Sequence, residues 1–105
     1  MRQRIWKNSK MESWRSDGAE LCRDWPCEVT LENRRIEVRY EDHNGGMSRY
    51  VGKDNGSGNF FLQGTGVSDV TQIGRGNLRF TTDNRFLEGD WFEEGDDEGW
   101  SITLE

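Results

Sequence analysis

The sequence predicts an all-β fold: a small antiparallel up-and-down barrel, or a strongly curved sheet, of about eight strands. Three observations carry this. First, a phrase is written twice. Asn59-Phe60-Phe61-Leu62-Gln63-Gly64 returns 25 positions later as Asn84-Arg85-Phe86-Leu87-Glu88-Gly89, and each copy opens a stretch of period-two character. Second, there are 13 Gly but one Ala and one Pro, a balance that disfavours helices, since Gly costs roughly 1 kcal/mol per helical position relative to Ala. Third, turn signals recur at roughly the 8–12-residue spacing of small barrels and sandwiches.

Taken in order, residues 1–13 read as a basic N-terminal arm (Arg2, Arg4, Lys7, Lys10) of a single β domain spanning 1–105. The arm leads into an irregular strand through Trp25. From Cys27 the alternation sharpens: Cys27, Val29 and Leu31 on one face, Glu28, Thr30 and Glu32 on the other. Asn33-Arg34 supplies a turn, after which Ile36, Val38 and Tyr40 alternate with Glu37 and Arg39, completing a hairpin with one wet face. A loop over 41–46 and a short strand from Met47 to Val51 follow. The Gly52–Gly58 loop then feeds the first copy of the repeat. Val67–Ile73 reads as a further strand, and Leu78 and Phe80 alternate with Asn77, Arg79 and Thr81. The second copy, 85–93, turns at Glu94–Gly99 into a last strand in which Trp100, Ile102 and Leu104 alternate with Ser101 and Thr103.

Leu, Ile, Val and Phe total 20 of 105 residues, so the core must lean on the five Trp and two Tyr. A core this thin invites help from oligomerisation. The charge is −6, and no Lys or Arg follows Arg85. Most of such a surface would repel a phosphate backbone, which argues against nucleic acid as a partner. No apolar run approaches the roughly 18 residues of a membrane span. No apolar segment follows the basic N-terminus, so a secretory signal is not expected and a cytoplasmic location is.

The repeat also predicts faces. In the final hairpin Leu87, Gly89 and Trp91 face inward against Trp100, Ile102 and Leu104, with Gly89 leaving room for an indole. Mapping back places Phe60, Leu62, Gly64 and Gly66 inward, and puts Phe61 and Phe86 outward, joined on that face by Phe92. Apolar residues gathered on an outer face call for a cover. Three readings remain open: the arm, with Trp6 and Trp14, folds over it; a homodimer or another protein covers it; or the register is off by one residue, which would invert both faces.

Chemistry-bearing residues are few. Cys22 and Cys27 have a C-x4-C spacing, neither a redox C-x-x-C nor half of a zinc ribbon. Free thiols, a disulfide, or a zinc site shared with His43 are the alternatives, free thiols being expected in a reducing compartment. His43 is the only histidine. Ser48 lacks the strained glycine context of a nucleophile elbow, so no nucleophile–base pair can be assembled and no enzyme is expected. The acidic stretch Glu93-Glu94-Gly95-Asp96-Asp97-Glu98-Gly99 departs from a calcium-loop spacing and reads as a solvated hairpin tip, with a weak divalent-cation site, or electrostatic docking of the basic arm of the same or a neighbouring molecule, as alternatives. Neither Gly56-Ser57-Gly58 nor Gly64-Thr65-Gly66 leads into a helix that could receive a phosphate. No metal or cofactor is expected.

Leu87-Glu88-Gly89-Asp90-Trp91 followed by Gly99-Trp100-Ser101-Ile102-Thr103-Leu104 resembles strand pairs of small calycin-type barrels, the lipocalin and avidin-like group. The resemblance spans about 20 residues, and Gly89-Asp90-Trp91 sits near the C-terminus whereas lipocalins carry their Gly-x-Trp near the N-terminus. It implies an up-and-down barrel that holds a small apolar ligand. Two functions follow: a non-enzymatic protein-interaction module using Phe61, Phe86, Phe92, Trp6 and Trp14, or a binder of a small apolar ligand in a cavity lined by Tyr40, Leu62, Trp91 and Trp100.

Overall fold

The computed structural model describes residues 3–41, 45–54, 56, 58–66, 74–93 and 96–105. Among these, eight strands follow one another: β1 (Arg4–Arg15), β2 (Glu20–Glu32), β3 (Arg35–Glu41), β4 (Met47–Asp54), β5 (Asn59–Gly66), β6 (Arg75–Phe80), β7 (Phe86–Glu93) and β8 (Asp96–Thr103). Each pairs antiparallel with the next, and β8 returns to β1 in the register Lys10↔Thr103 to Arg15↔Glu98, closing the barrel. The two-residue connection Asn33-Arg34 holds both residues at positive φ (52° and 62°), the twist that suits a two-residue hairpin. No helix among the described residues is long and apolar enough to cross a membrane. The expected strand over Val67–Ile73 lies outside the described residues.

The segment read as an arm is a barrel strand. β1 pairs with β2 from Arg4↔Leu31 to Trp14↔Glu20, and with β8 along its second half. The alternation was hidden for two reasons. Register shifts fall between Trp6 and Ser9, between Met11 and Ser13, and between Ser13 and Trp14, so the inward set keeps no single period. Two of its buried members, Ser9 and Ser13, are polar. The Ser9 hydroxyl donates to the Trp6 carbonyl (3.3 Å) and accepts from the Glu105 N–H (3.2 Å), tying the C-terminus to β1.

Elsewhere the inward set follows the alternation. Leu87, Trp91, Trp100 and Ile102 are buried, with Leu87 opposite Ile102 and Gly89 opposite Trp100. Phe60 and Leu62 are buried in the first copy while Phe61 points out, 58% exposed. Gly89 owes its identity to a different neighbour than the indole. A Cβ there would stand 1.7 Å from the Asn77 carbonyl oxygen, because β6 and β7 approach too closely for any side chain. Gly52 does the same on β4, where a Cβ would meet the Phe61 carbonyl oxygen at 1.9 Å. These two glycines let the sheet bend sharply enough to close.

Trp6 does not cover the outer phenylalanines. It packs against the core cluster at the barrel end where the chain begins, its ring 6.2 Å from Phe80, which in turn meets Phe60 edge-on at 5.9 Å. The Arg4 guanidinium lies 4.7 Å from the Trp6 ring and caps this plug.

Gly52→Ala and Gly89→Ala should each lower stability by about 2–4 kcal/mol, because the clashing atom is backbone and cannot rotate away. Gly56→Ala, where a Cβ would meet nothing but φ is +98°, should cost about 1 kcal/mol. Urea unfolding of the three variants checks this ordering.

Candidate functional site

Two places combine chemically capable side chains: the aromatic end of the interior and a groove on the outer wall. At the first, Tyr40, Trp91 and Trp100 are gathered around Tyr50, on β4, a residue whose facing could not be read from the sequence. Tyr50 stacks on Tyr40 (6.4 Å), meets Trp91 and Trp100 edge-on (5.6 and 5.4 Å), and accepts a 2.7 Å hydrogen bond at its hydroxyl from the Trp91 indole N–H. Trp91 and Trp100 stand 5.2 Å apart. Such spacings are those of rings in direct contact, so no slot for a ligand lies between them. Leu62 is buried in the same core, on β5. Tyr40 and Trp91 keep 8% and 9% of their surface accessible, whereas Trp100 is fully enclosed.

One polar atom in this core is left over. Among the described residues Trp100 Nε1 is buried with no hydrogen-bond partner. Its Cε3–Cζ3 edge lies against Gly76, so the N–H, on the opposite edge of the indole, points away from β6. An unpaired buried donor of this kind costs about 1–3 kcal/mol.

The two cysteines are unpaired. Cys22 is half-buried and its Sγ lies 3.3 Å from the buried Ser13 hydroxyl. Cys27 is buried, and burial, reinforced by the neighbouring Cys22, pushes its thiol up to about 12. A thiol protonated so far above neutrality is a poor nucleophile and metal ligand. Among the described residues no group of three or more His, Cys, Asp or Glu could hold a metal ion. His43, Glu94 and Gly95 lie outside the described residues.

On the outer wall, the register brings together residues from five strands. Trp14 stands opposite Gly99, Gly99 opposite Asp90, Asp90 opposite Asn77, and Asn77 opposite Phe61. This single row runs from β1 across β8, β7 and β6 to β5, with an exposed aromatic at each end. Trp14, 39% exposed, lies over Gly99, where a Cβ would fall 2.2 Å from indole Cε2. Glycine there lets the ring settle on the sheet. Trp14, Asp90, Asn77 and Phe61 of this row line two open, overlapping grooves, which share Asn77 and Asp90. One wall carries Glu12, Ser101, Glu88, Arg79 and Asn59; the other carries Asp97, Phe92, Arg75 and Gln63. Arg75 lies 5.2 Å over the Phe92 ring.

The outward phenylalanines therefore do not form one strip. Phe61 and Phe92 line the same groove, but Phe86 sits six residues from Phe92 along β7, about 20 Å away, with exposed Glu88 and Asp90 between them. Trp14 belongs to this face and Trp6 does not. The repeat showed that Phe61 points outward. The row itself depends on cross-strand register over five strands, which no local pattern encodes.

No protein-family model matches the chain, and no curated protein sequence does. Solved structures resemble it in fold. One is a redesigned β-barrel, with TM-score 0.66 over 95% of this chain and 91% of its own, at 9% identity. Another is a de novo designed fluorescence-activating β-barrel, with TM-score 0.63 over 93% of this chain and 91% of its own, at 14% identity.

Tyr50→Phe leaves the Trp91 N–H without its acceptor and should cost about 1–3 kcal/mol, together with a change in near-ultraviolet circular dichroism. Thiol labelling at pH 8 should modify Cys22 first and reach Cys27 only as the protein unfolds. Because the folded Cys27 holds its proton to about 12 while an unfolded thiol loses it near 8.5, the rate gap between native and urea-unfolded protein should narrow as pH rises through that window.

Proposed function

We propose that this protein is a non-enzymatic interaction module whose working surface is the outer groove between Trp14 and Phe61. The observation that carries the reading is the row of paired positions that sets two exposed aromatics at the ends of a polar floor. Aromatic side chains and arginine are the residues interfaces favour, and here both line two grooves that share Asn77 and Asp90.

The size of the groove selects the kind of partner. Four strand spacings separate Trp14 from Phe61, about 19 Å, and the walls stand about 13 Å apart along β7, giving about 250 Å². A stable globular interface takes about 800 Å² per partner. A segment of a protein partner therefore fits the groove better than the flat face of a second copy, and the homodimer is not the form of the proposal we favour. Cytoplasmic residence belongs to the same reading, supported by two unpaired thiols, one of them half-exposed.

A second reading has its own observation. The unpaired Trp100 N–H, in a core whose Tyr40 and Trp91 remain slightly accessible, suits a small flat ligand bearing an acceptor. That would be a calycin-like use of the barrel, and a fluorescence-activating barrel is among the structures it resembles. Since the rings already touch, such a ligand would have to part them, and tryptophan emission would then shift on titration with apolar aromatic compounds.

Selection from a displayed library of random dodecapeptides tests the principal reading. Enriched peptides should bind the wild type and the Phe86→Asp variant alike and lose at least tenfold on Phe61→Asp or Trp14→Ser. Peptides indifferent to both groove substitutions, or no enrichment at all, would remove it.

A further inference from the structure

The charges on the barrel wall are treated differently on its two sides. Across the middle of β2, β3 and β4 four outward ions are paired: Arg39 bridges Glu28 and Glu37, and Glu37 also takes Arg49 at 3.5 Å. The carboxylates lining the groove are not. Glu12, Glu88, Asp90 and Asp97 line it, and none of the four has an ion-pair partner among the described residues. Two guanidiniums face them. Arg75 is laid over Phe92, and Arg79 stands opposite Glu88 without bridging it. Lys53 flanks Phe61 beyond the end of the row. β7 and β8 contribute no base at all, since no Lys or Arg follows Arg85.

From this we infer that the groove receives an extended, basic segment of a partner protein, about six residues long, with its cationic side chains over Glu12, Glu88 and Asp90. The inference rests on the groove being an interaction surface, as proposed above, and adds the chemistry of the occupant. Length follows from the row: about 19 Å divided by the rise of an extended chain, about 3.3 Å per residue. Mode follows from closure. A closed barrel has no free strand edge, so a peptide cannot add as another strand through its backbone. Recognition falls to side chains, and those present are unpaired carboxylates between two aromatic platforms. Trp14 and Phe61 can take either apolar side chains or, face-on, a lysine or arginine. The net negative field of the molecule would steer a cationic segment toward this wall and repel an acidic one.

Fluorescence anisotropy with a labelled six-residue peptide of alternating lysine and tyrosine, against its counterpart with glutamate for lysine, provides the test. The basic probe should bind in 50 mM salt, weaken about tenfold by 300 mM, and weaken at least fivefold on Glu88→Gln or Asp90→Asn. Arg79→Gln should tighten it. All three positions are exposed, so circular dichroism should show the fold intact. Equal binding of the acidic probe, or indifference to all three substitutions, would overturn the inference. Library peptides that need Phe61 but carry no positive charge would overturn it too, while leaving the interaction reading standing. Loss of both would fell the two together. A size that grows with protein concentration and collapses on Glu88→Lys would name a second copy as the occupant and replace the partner segment.

Discussion

Tyr50 packs its ring onto Gly64, where a Cβ would lie 2.6 Å from Cζ, and its hydroxyl occupies the space a Cβ on Gly74 would need, 2.0 Å away. Trp100 has Gly76 at its edge in the same way, and Trp14 has Gly99 beneath it on the outside. The rest of the structure depends on this pairing of large rings with absent side chains. Only 20 residues are Leu, Ile, Val or Phe, too few to fill a closed eight-stranded barrel with aliphatic layers. Indoles and phenols supply much of the missing volume, and Tyr50 and Trp100 lie where the strand beside them carries no Cβ. Gly64, Gly74, Gly76 and Gly99 are therefore one feature with the rings of Tyr50, Trp100 and Trp14, seen from two sides.

That coupling explains how much could be read beforehand. β3, β7 and β8 alternate without interruption, so their inward sets, from Ile36, Val38 and Tyr40 to Trp100 and Ile102, were legible from period alone. Phe61 was legible as outward because the repeat supplied a second reading of the same position. β1 was not, because bulges move its parity and because Ser9 and Ser13, which bury themselves through hydroxyl contacts, carry no apolar signal. Tyr50 was missed for a related reason: half-exposed Val51 and Gly52 beside it blur the alternation of β4. The partners that identify it as inward, Gly64 and Gly74, are distant in sequence, Gly64 opposite it on β5 and Gly74 just before β6. The outer row was the least legible, since each of its members is an unremarkable polar, glycine or aromatic residue until four registers are known together.

The resemblance to designed barrels at 9% and 14% identity bears on the same point. Sequences so different reach one architecture because the requirements are positional: an inward alternation, glycine where strands bend, and turns with the right handedness. Meeting them leaves the outward positions free. On this chain those positions divide into a bridged network of Glu28, Glu37, Arg39 and Arg49 over β2 to β4 and, over β5 to β8 and β1, an aromatic-walled side where Glu12, Glu88, Asp90 and Asp97 have no ion-pair partner among the described residues.

The unpaired side would be easy to dismiss as ordinary solvated surface, since exposed ion pairs contribute at most about 1 kcal/mol each and their absence costs little. Two details argue otherwise. Gly89 lets the β6 and β7 backbones come together beside Asn77 and Asp90, the two residues that both grooves share. Trp14, meanwhile, sits over Gly99 in the sheet at one end of the row, while Phe61 stands exposed at the other. Open grooves, exposed aromatic ends and carboxylates without ion-pair partners among the described residues are separately commonplace. Their coincidence on one cross-strand row is what a bound segment would use, and closure of the barrel leaves side chains as the means by which it could be held.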